Sequence, residues 1–157
     1  MNKDILKIDN ARIIFRNFSG RASKFNREGD KNFCVVIENA DVGRQMADEG
    51  WNIKIRPPRE DGEEPFMYLP VKIKYGEYPP TVYLSSGPNT TKLTEETVNV
   101  IDDIDILSVD LDIRPYDWDV NGNTGRTAYL QSMWITQKVD RFAQRYSDEK
   151  AVGDSEE

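Results

Sequence analysis

Residues 11–37, ARIIFRNFSGRASKFNREGDKNFCVVI, interleave cationic and aromatic side chains at short spacing. The stretch contains six cationic and only two acidic residues, so it has a local net charge of +4, whereas the whole chain carries −7. The cations are Arg12, Arg16, Arg21, Lys24, Arg27 and Lys31, and the aromatic residues are Phe15, Phe18, Phe25 and Phe33. Cationic side chains hold a phosphate backbone, and aromatic faces stack on unpaired bases. The pattern is therefore typical of a surface for single-stranded nucleic acid.

The four phenylalanines differ in their neighbours. Phe15 and Phe33 stand in apolar runs, which predicts that they fill the core. Phe25 stands in a polar loop, where a buried ring is not expected, and Phe18 stands just before that loop. We expect Phe25 and Phe18 to be available for stacking on bases.

A second group of cations lies on two predicted strands, 51–56 and 67–75, where charged and apolar residues alternate. Four like charges side by side on a sheet repel, so this arrangement needs a bound anion or nearby acids. Two interpretations stay open: a phosphate-binding face, or a solvated face balanced by the acids of residues 60–64. The candidates on these strands are Lys54, Arg56, Lys72 and Lys74 for phosphates, and Trp51 and Tyr75 for bases.

Residue types that enzymes use are scarce. The chain has no histidine, which excludes the usual general base and the commonest zinc nitrogen ligand. The single cysteine, Cys34, stands in an apolar run and is expected to be buried. There is no Walker loop, no GxGxxG and no CxxC motif, so we expect no enzyme activity, cofactor or metal.

Acidic residues suggest only a weaker alternative. Asp110 and Asp112 share one face of a predicted strand, which would suit a metal-dependent nuclease, but a solvated acidic face that discourages edge pairing is the simpler interpretation. Tyr116 and Trp118 stand among acids that repel phosphate, so we do not count them as DNA contacts.

The elements that must position these side chains are mostly strands. Apolar alternation predicts strands over 5–18, 32–37, 51–56, 67–75, 81–85, 106–116 and 126–137. Asn39 and Gly50 bracket a helix over 40–49, and a helical turn follows Thr94. The first two strands form a hairpin with the polar loop 20–30 at its tip. The prediction is a mainly β fold, an oligonucleotide-binding (OB) barrel with one or two short helices.

Length and charge indicate the domain organisation. A chain of 157 residues suits one domain with a real core, and no apolar run reaches the length of a transmembrane helix or a signal peptide, so we expect an intracellular protein. Residues 1–75 carry a net charge of +2, residues 76–157 carry −9, and residues 147–157 alone carry −4. We expect an OB-like binding domain over 1–138 and an acidic, largely disordered tail over 139–157.

Four runs of the sequence, FRNFSGRASKFNREGDKNFCVVI, GWNIKIRPP, YLPVKIKYG and IRPYDWDVNGNTGRTAYLQSMWI, resemble a family of bacteriophage single-stranded-DNA-binding proteins with an OB-type barrel. The resemblance implies sequence-tolerant binding of single-stranded DNA in phage replication or recombination, in the host cytoplasm, without catalysis. It also implies an acidic tail that contacts replication or recombination proteins, or competes with DNA for the basic groove. This tail ends in Glu156-Glu157 where many such tails end in an aromatic residue, so docking of a terminal aromatic ring into a partner pocket does not carry over, whereas an intramolecular electrostatic role does.

The leading interpretation is therefore a non-enzymatic binder of single-stranded DNA with no membrane association. RNA stays open as a ligand because stacking and phosphate contacts serve both, and so does oligomerisation. The alternative is a phage structural or protein-interaction domain whose basic loop contacts an acidic partner. The expected nucleic-acid-binding residues are Arg12, Arg16, Phe18, Arg21, Lys24, Phe25, Arg27, Lys31, Trp51, Lys54, Arg56, Lys72, Lys74 and Tyr75.

Overall fold

The computed structural model describes residues 5–24, 26–57, 60–62 and 64–139. These residues form one α-helix, α1 (Ala40–Asp48), a 3-10 turn (Val98–Asp102) and nine strands. The strands are β1 (Leu6–Ile8), β2 (Ile13–Asn17), β3 (Lys31–Ile37), β4 (Lys54–Arg56), β5 (Phe66–Ile73), β6 (Thr81–Ser86), β7 (Asn89–Leu93), β8 (Ile106–Val120) and β9 (Asn123–Gln137). No helix in this part of the chain is long and apolar enough to cross a membrane.

One sheet contains all of these strands. Its hydrogen-bonded path runs β1-β8-β9-β5-β3-β2, with β4 paired to β5 and the β6–β7 hairpin attached to β9. Because β1 and β2 follow each other in the chain, one bent N-terminal segment pairs with β8 at its start and with β3 at its end. In OB terms this segment is strand one, followed by β3, β5, β8 and β9. Within the described residues no ladder closes the sheet completely, and the predicted mainly β, OB-like class is confirmed.

A bulge in β2 decides which way its side chains point. Two residues of β2, Phe15 and Arg16, stand opposite the single residue Phe33 of β3. Phe15 has a φ of 53°, a value rare for a bulky residue. The extra residue reverses the alternation of the strand, so Phe15 turns outward with 50 % of its surface exposed and Phe18 turns into the core.

The core lies on the inward face of the sheet. Strand β5 contributes Leu69, Val71 and Ile73, all buried, and the fully buried rings of Phe18 and Phe33 stack with their centroids 5.2 Å apart. Removing such a ring from water contributes about 1.5–3 kcal/mol. Because side chains alternate along a strand, the same β5 residues fix the direction of their neighbours, which must face outward.

Helix α1 packs against β3 and β5. It begins at Asn39, whose side chain accepts hydrogen bonds from the N–H groups of Asp41 and Val42 at 2.9 and 3.2 Å. Met46 is buried on the inner side of the helix. The predicted cap and extent of this helix are confirmed.

Most predicted strands are present, with several differences. The strand predicted over 5–18 is divided into β1 and β2, and β9 begins at Asn123 instead of the predicted Arg126. β8 extends to Val120 because only Asn121 and Gly122 form the turn; both have positive φ, 53° and 85°, as a type I′ turn requires. The strand predicted over 51–56 shortens to β4. β7 was not predicted because its sequence, NTTKL, shows no apolar alternation. The predicted acidic tail lies outside the described residues beyond Val139.

Candidate nucleic-acid interface

Three aromatic rings on the outward face of β2 and β5 form a cluster, the aromatic platform: Phe15, Phe66 and Tyr68. Phe15 meets Tyr68 edge to face with centroids 5.6 Å apart, and Phe66 lies 6.0 Å from Tyr68. The guanidinium of Arg56 lies 5.5 Å from the Phe15 centroid and 5.8 Å from that of Phe66. Lys54 pairs with Tyr68 across β4 and β5. Rings and cations are thus combined as base stacking and phosphate binding require.

Lysine side chains line a groove of 560 Å³ further along β5. We call it the lysine groove, and its lining includes Lys31, Lys72, Lys74 and Tyr75. Asp30 and Glu95 also line it and partly balance its charge. Tyr68 and Lys72 are four residues apart on one face of β5, which places them about 13 Å apart along the strand. The groove therefore continues the aromatic platform.

A third group, the hairpin cluster, lies on the outward face of β8 and β9 beside the groove; it comprises Tyr78, Arg114, Tyr116 and Tyr129. Lys72 of the groove pairs with Tyr129, which pairs in turn with Arg114. The Arg114 guanidinium lies 5.2 Å from the Tyr129 centroid and 5.5 Å from that of Tyr78. Tyr116 meets Tyr129 edge to face at 6.1 Å.

The acids around Tyr116 point away from this cluster. Asp117, the next residue along β8, faces the other side of the hairpin, where its carboxylate accepts a hydrogen bond from Arg126 Nε at 2.7 Å. The reason for setting Tyr116 aside in the sequence therefore does not hold in the fold.

The basic loop, residues 20–30, joins β2 to β3 beside the lysine groove. Arg21, Lys24 and Arg27 are exposed on it. Asn26 organises the loop: its side-chain amide donates to the carbonyls of Arg21, Arg27 and Asp30 at 2.8, 3.1 and 3.0 Å. The exposed cations thus stand on a loop that is internally hydrogen bonded.

Burial shifts the pKa of two side chains at the site. Burial raises the pKa of the Cys34 thiol to about 11, although Lys54 acts in the opposite direction. Burial, followed by the charges of Glu95 and Glu96, raises the pKa of Tyr75 to about 12. The Tyr75 hydroxyl has no hydrogen-bond partner among the described residues. Both groups are neutral at pH 7, so they do not reduce the positive charge of the site.

Two rings expected to stack on bases are buried instead. Phe18 has no exposed surface and packs against Phe33. Trp51 is 6 % exposed and lies beneath the guanidinium of Arg126, 5.2 Å from its ring centre. The predictions for Phe18 and Trp51 are wrong because the bulge in β2 and the packing against β9 turn both rings away from solvent.

Two arginines expected at the site are separate from it. Arg16 donates from Nη1 to the carbonyls of Ile101 and Ile104 at 2.6 and 2.8 Å, so its charge serves the fold. Arg12 lines a different groove together with Glu38 and Asp105. The other described candidates lie in the platform, the groove or the basic loop. Phe25 lies outside the described residues.

The acids once considered for metal binding have other partners. Asp110 Oδ1 accepts the N–H of Asn10 at 2.8 Å, and Asp112 accepts the hydroxyl of Ser132 at 2.7 Å. No group of three or more acidic or cysteine side chains is placed to hold a metal in the described ranges.

Sequence reasoning missed several rings of the site. Phe66 and Tyr68 share the strand face of Lys72, so alternation alone could have found them. Phe15 could not be found this way, because its direction depends on the bulge. Tyr129 joins the site through a parallel pairing of β5 with β9, which local sequence does not reveal.

Comparison with known proteins gives a family and a fold. A family model described as a putative phage ssDNA-binding domain matches residues 1–156. Among solved structures, the single-stranded DNA-binding protein from bacteriophage Enc34 in complex with ssDNA is 13 % identical, with a TM-score of 0.55 over 87 % of this chain and 88 % of that chain. Its C-terminal truncation is 12 % identical, with a TM-score of 0.51 over 87 % of each chain. No curated protein matches the chain.

Proposed function

The chain belongs to the phage single-stranded-DNA-binding domain family, and on that premise we propose that it binds single-stranded DNA along the outward face of β5 without sequence preference. The match over residues 1–156 confirms the resemblance carried by the four sequence runs. One observation carries the proposal: the aromatic platform, the lysine groove and the hairpin cluster adjoin on one sheet face. OB barrels bind oligonucleotides on the face of their second and third strands, here β3 and β5.

Bases stack on the exposed rings of the aromatic platform. Phe15 offers the most accessible face, and Tyr68 holds it from the side. Base stacking contributes about 1–3 kcal/mol per base, and every base has a π-face, so this contact does not select a sequence. The hairpin cluster supplies a second set of rings on the same path.

Phosphates contact the cations between and around these rings. Lys54 and Arg56 flank the platform, Lys72 and Lys74 line the groove, and the basic loop adds further cations. A protein that neutralises phosphates releases bound counterions, so its affinity falls as salt rises.

The biological role follows from this binding mode. A binder without sequence preference suits the single strands exposed during phage DNA replication or recombination in the host cytoplasm. The acidic residues 147–157, with net charge −4, suit contacts to replication or recombination proteins. The Enc34 protein of similar fold is in complex with ssDNA, which supports the ligand class.

A salt titration tests the electrostatic part. If about four phosphates are neutralised, log affinity for oligothymidylate falls against log salt with a slope of about −3. Fluorescence titration at several salt concentrations measures this slope. A slope near zero would remove the phosphate contacts from the proposal.

A mobility-shift comparison of single-stranded DNA, duplex DNA and RNA tests the ligand. We expect single-stranded DNA to bind more tightly than duplex DNA, because stacking needs unpaired bases. Absence of affinity for all three, with a stable oligomer in solution, would favour the phage structural or protein-interaction domain instead.

A further inference from the structure

The 3-10 turn Val98–Asp102 lies against the start of the basic loop. Its last residue, Asp102, has a side chain that is 2 % exposed. The carboxylate accepts hydrogen bonds from the N–H of Phe18 at 2.7 Å and from the N–H and hydroxyl of Ser19 at 3.0 and 2.6 Å. The Arg21 guanidinium lies 3.5 Å from it. One carboxylate therefore holds the point where β2 passes into the loop.

Two cations tie the same turn to both flanks of the loop. Arg16, before the loop, donates from Nη1 to the Ile101 carbonyl at 2.6 Å. Lys31, after the loop, donates from Nζ to the Phe18 carbonyl at 2.8 Å and to Asn99 Oδ1 at 2.9 Å. The two ends of the loop are thus fixed to one turn and to each other.

We propose that this turn braces the basic loop in the orientation that meets DNA, and that Asp102 is the positioning residue of the brace. The inference rests on the proposed function, which assigns the loop to the DNA surface. Burial alone would raise the pKa of Asp102, but hydrogen bonds from Ser19 and Phe18 and the charge of Arg21 outweigh burial and hold it below the usual value. The carboxylate is therefore ionised at neutral pH and accepts strong, charge-assisted hydrogen bonds.

Bulk electrostatics and the positioning role predict opposite effects of the substitution Asp102→Asn on DNA affinity. Removing an acid beside a phosphate-binding loop raises the local positive charge, which by itself tightens DNA binding. The amide, however, accepts more weakly from Phe18 and Ser19 and loses the attraction to Arg21. The loop must then be ordered during binding, which weakens affinity.

The matched control is Asp103→Asn, which removes the same charge from the neighbouring exposed residue. For oligothymidylate we expect Asp102→Asn to bind about tenfold more weakly than the native protein, the loss that corresponds to about one charge-assisted hydrogen bond. Asp103→Asn should bind as tightly as native or more tightly. The salt slope of Asp102→Asn should stay native, because no phosphate contact is removed. Equal affinity of the two variants would overturn the brace.

Amide hydrogen exchange separates positioning from a general loss of structure. In Asp102→Asn we expect faster exchange at Phe18 and Ser19, with native exchange in β8 and β9. Unchanged exchange at both amides would also overturn the brace. If Asp102→Asn fails to fold, the milder variants Ser19→Ala and Asn99→Ala test the proposal instead. We expect each of them to lose about threefold in affinity for oligothymidylate. Native affinity in both would contradict the proposal.

Binding of oligothymidylate by the native protein distinguishes failure of the brace from failure of the proposed function. If it does not bind oligothymidylate, the proposed function fails. If it binds, and Asp102→Asn matches Asp103→Asn, only the brace fails.

Discussion

Phe15 owes its place in the aromatic platform to one backbone angle. With a regular β2 its ring would point inward beside Phe33; the bulge and the φ of 53° turn it to the surface. A bulky residue in this region of φ is disfavoured, and such strain is common where a side chain must be aimed at a ligand. The ring then meets Tyr68 and Arg56 on the outward face.

We predict that Phe15→Asn and Tyr68→Ala each weaken oligothymidylate binding by about 1–3 kcal/mol, the range measured for one stacked base, without changing the salt slope. Asparagine is chosen at position 15 because it tolerates positive φ, so the bulge is kept. Trp134→Ala is the matched control, an exposed ring that lies against Tyr83 and belongs to none of the three clusters. Fluorescence titration measures all three. Native affinity in the first two variants would exclude the platform as a stacking site.

We predict that Cys34 reacts slowly with Ellman's reagent. With a pKa of about 11, only about 0.1 % of the thiol is ionised at pH 8, and the thiolate is the reactive form. The rate should rise about tenfold per pH unit until the pH approaches that pKa. Denatured protein is the fast-reacting control. Because Cys34 pairs with Ile14 and Pro70 on the outward strand face, oligothymidylate should slow the reaction further; an unchanged rate would place the DNA elsewhere.

A site residue can be predicted from the sequence when local interactions decide its position. It cannot be predicted when contacts between distant parts of the chain decide it. The outward direction of Lys72 and Lys74 follows from alternation in one strand, and both side chains line the lysine groove. The prediction for Phe18 was wrong because one inserted residue in β2 shifts the alternation of side chains. The local sequence does not indicate this bulge. The prediction for Trp51 was wrong because its ring is covered by Arg126 of β9, a residue distant in sequence.

At the scale of elements, the β8–β9 hairpin carries the second set of rings. Its two strands pair along their whole length and end in the two-residue turn of Asn121 and Gly122. The Gly122 N–H also donates to Asp119 Oδ1 at 3.2 Å, which closes the turn. A two-residue hairpin turn of this type requires positive φ at both turn residues. The Asn-Gly pair in the sequence therefore predicts the turn.

We predict that Gly122→Ala lowers the free energy of unfolding by about 1 kcal/mol, because a Cβ is disfavoured at its φ of 85°. The matched control is Gly76→Ala, where a Cβ would meet nothing within 4 Å and φ lies outside the left-handed region. We expect that control to change stability by less than about 0.5 kcal/mol. Urea denaturation measures both. Equal stabilities of the two variants would contradict the conformational argument.

Elements with strong local signals were predictable and those without were not. The cap at Asn39 and the apolar alternation of β5 were found from sequence alone. β7 depends on pairing with β6 along polar residues, so its existence is decided by the partner strand and not by its own composition.

At the scale of the whole molecule, charge separates along the chain. Residues 1–75 carry +2 and residues 76–157 carry −9, yet the candidate interface collects cations from both halves, including Arg114. We propose that the acidic residues 147–157 compete with phosphate for those cations, and that salt screens this competition.

We predict that deleting residues 147–157 tightens oligothymidylate binding at low salt by about threefold, because a net charge of −4 is removed. The gain should disappear at high salt. A chain with the five acids of this segment replaced by amides is the control, and it should behave like the deletion. Unchanged or weaker binding in both would exclude the competition.

The position of β9 has a consequence for biosynthesis. Its ladders alone connect β1–β8, the group of β2, β3, β4 and β5, and the β6–β7 hairpin among the described strands. A ribosome delivers residues 123–137 after all of those strands, so the parallel ladders of β9 with β5 and β6 form only once this segment has emerged. These pairings are non-local, so we expect a polypeptide that terminates before β9 to leave strand edges of β5, β6 and β8 unpaired and to be prone to aggregation.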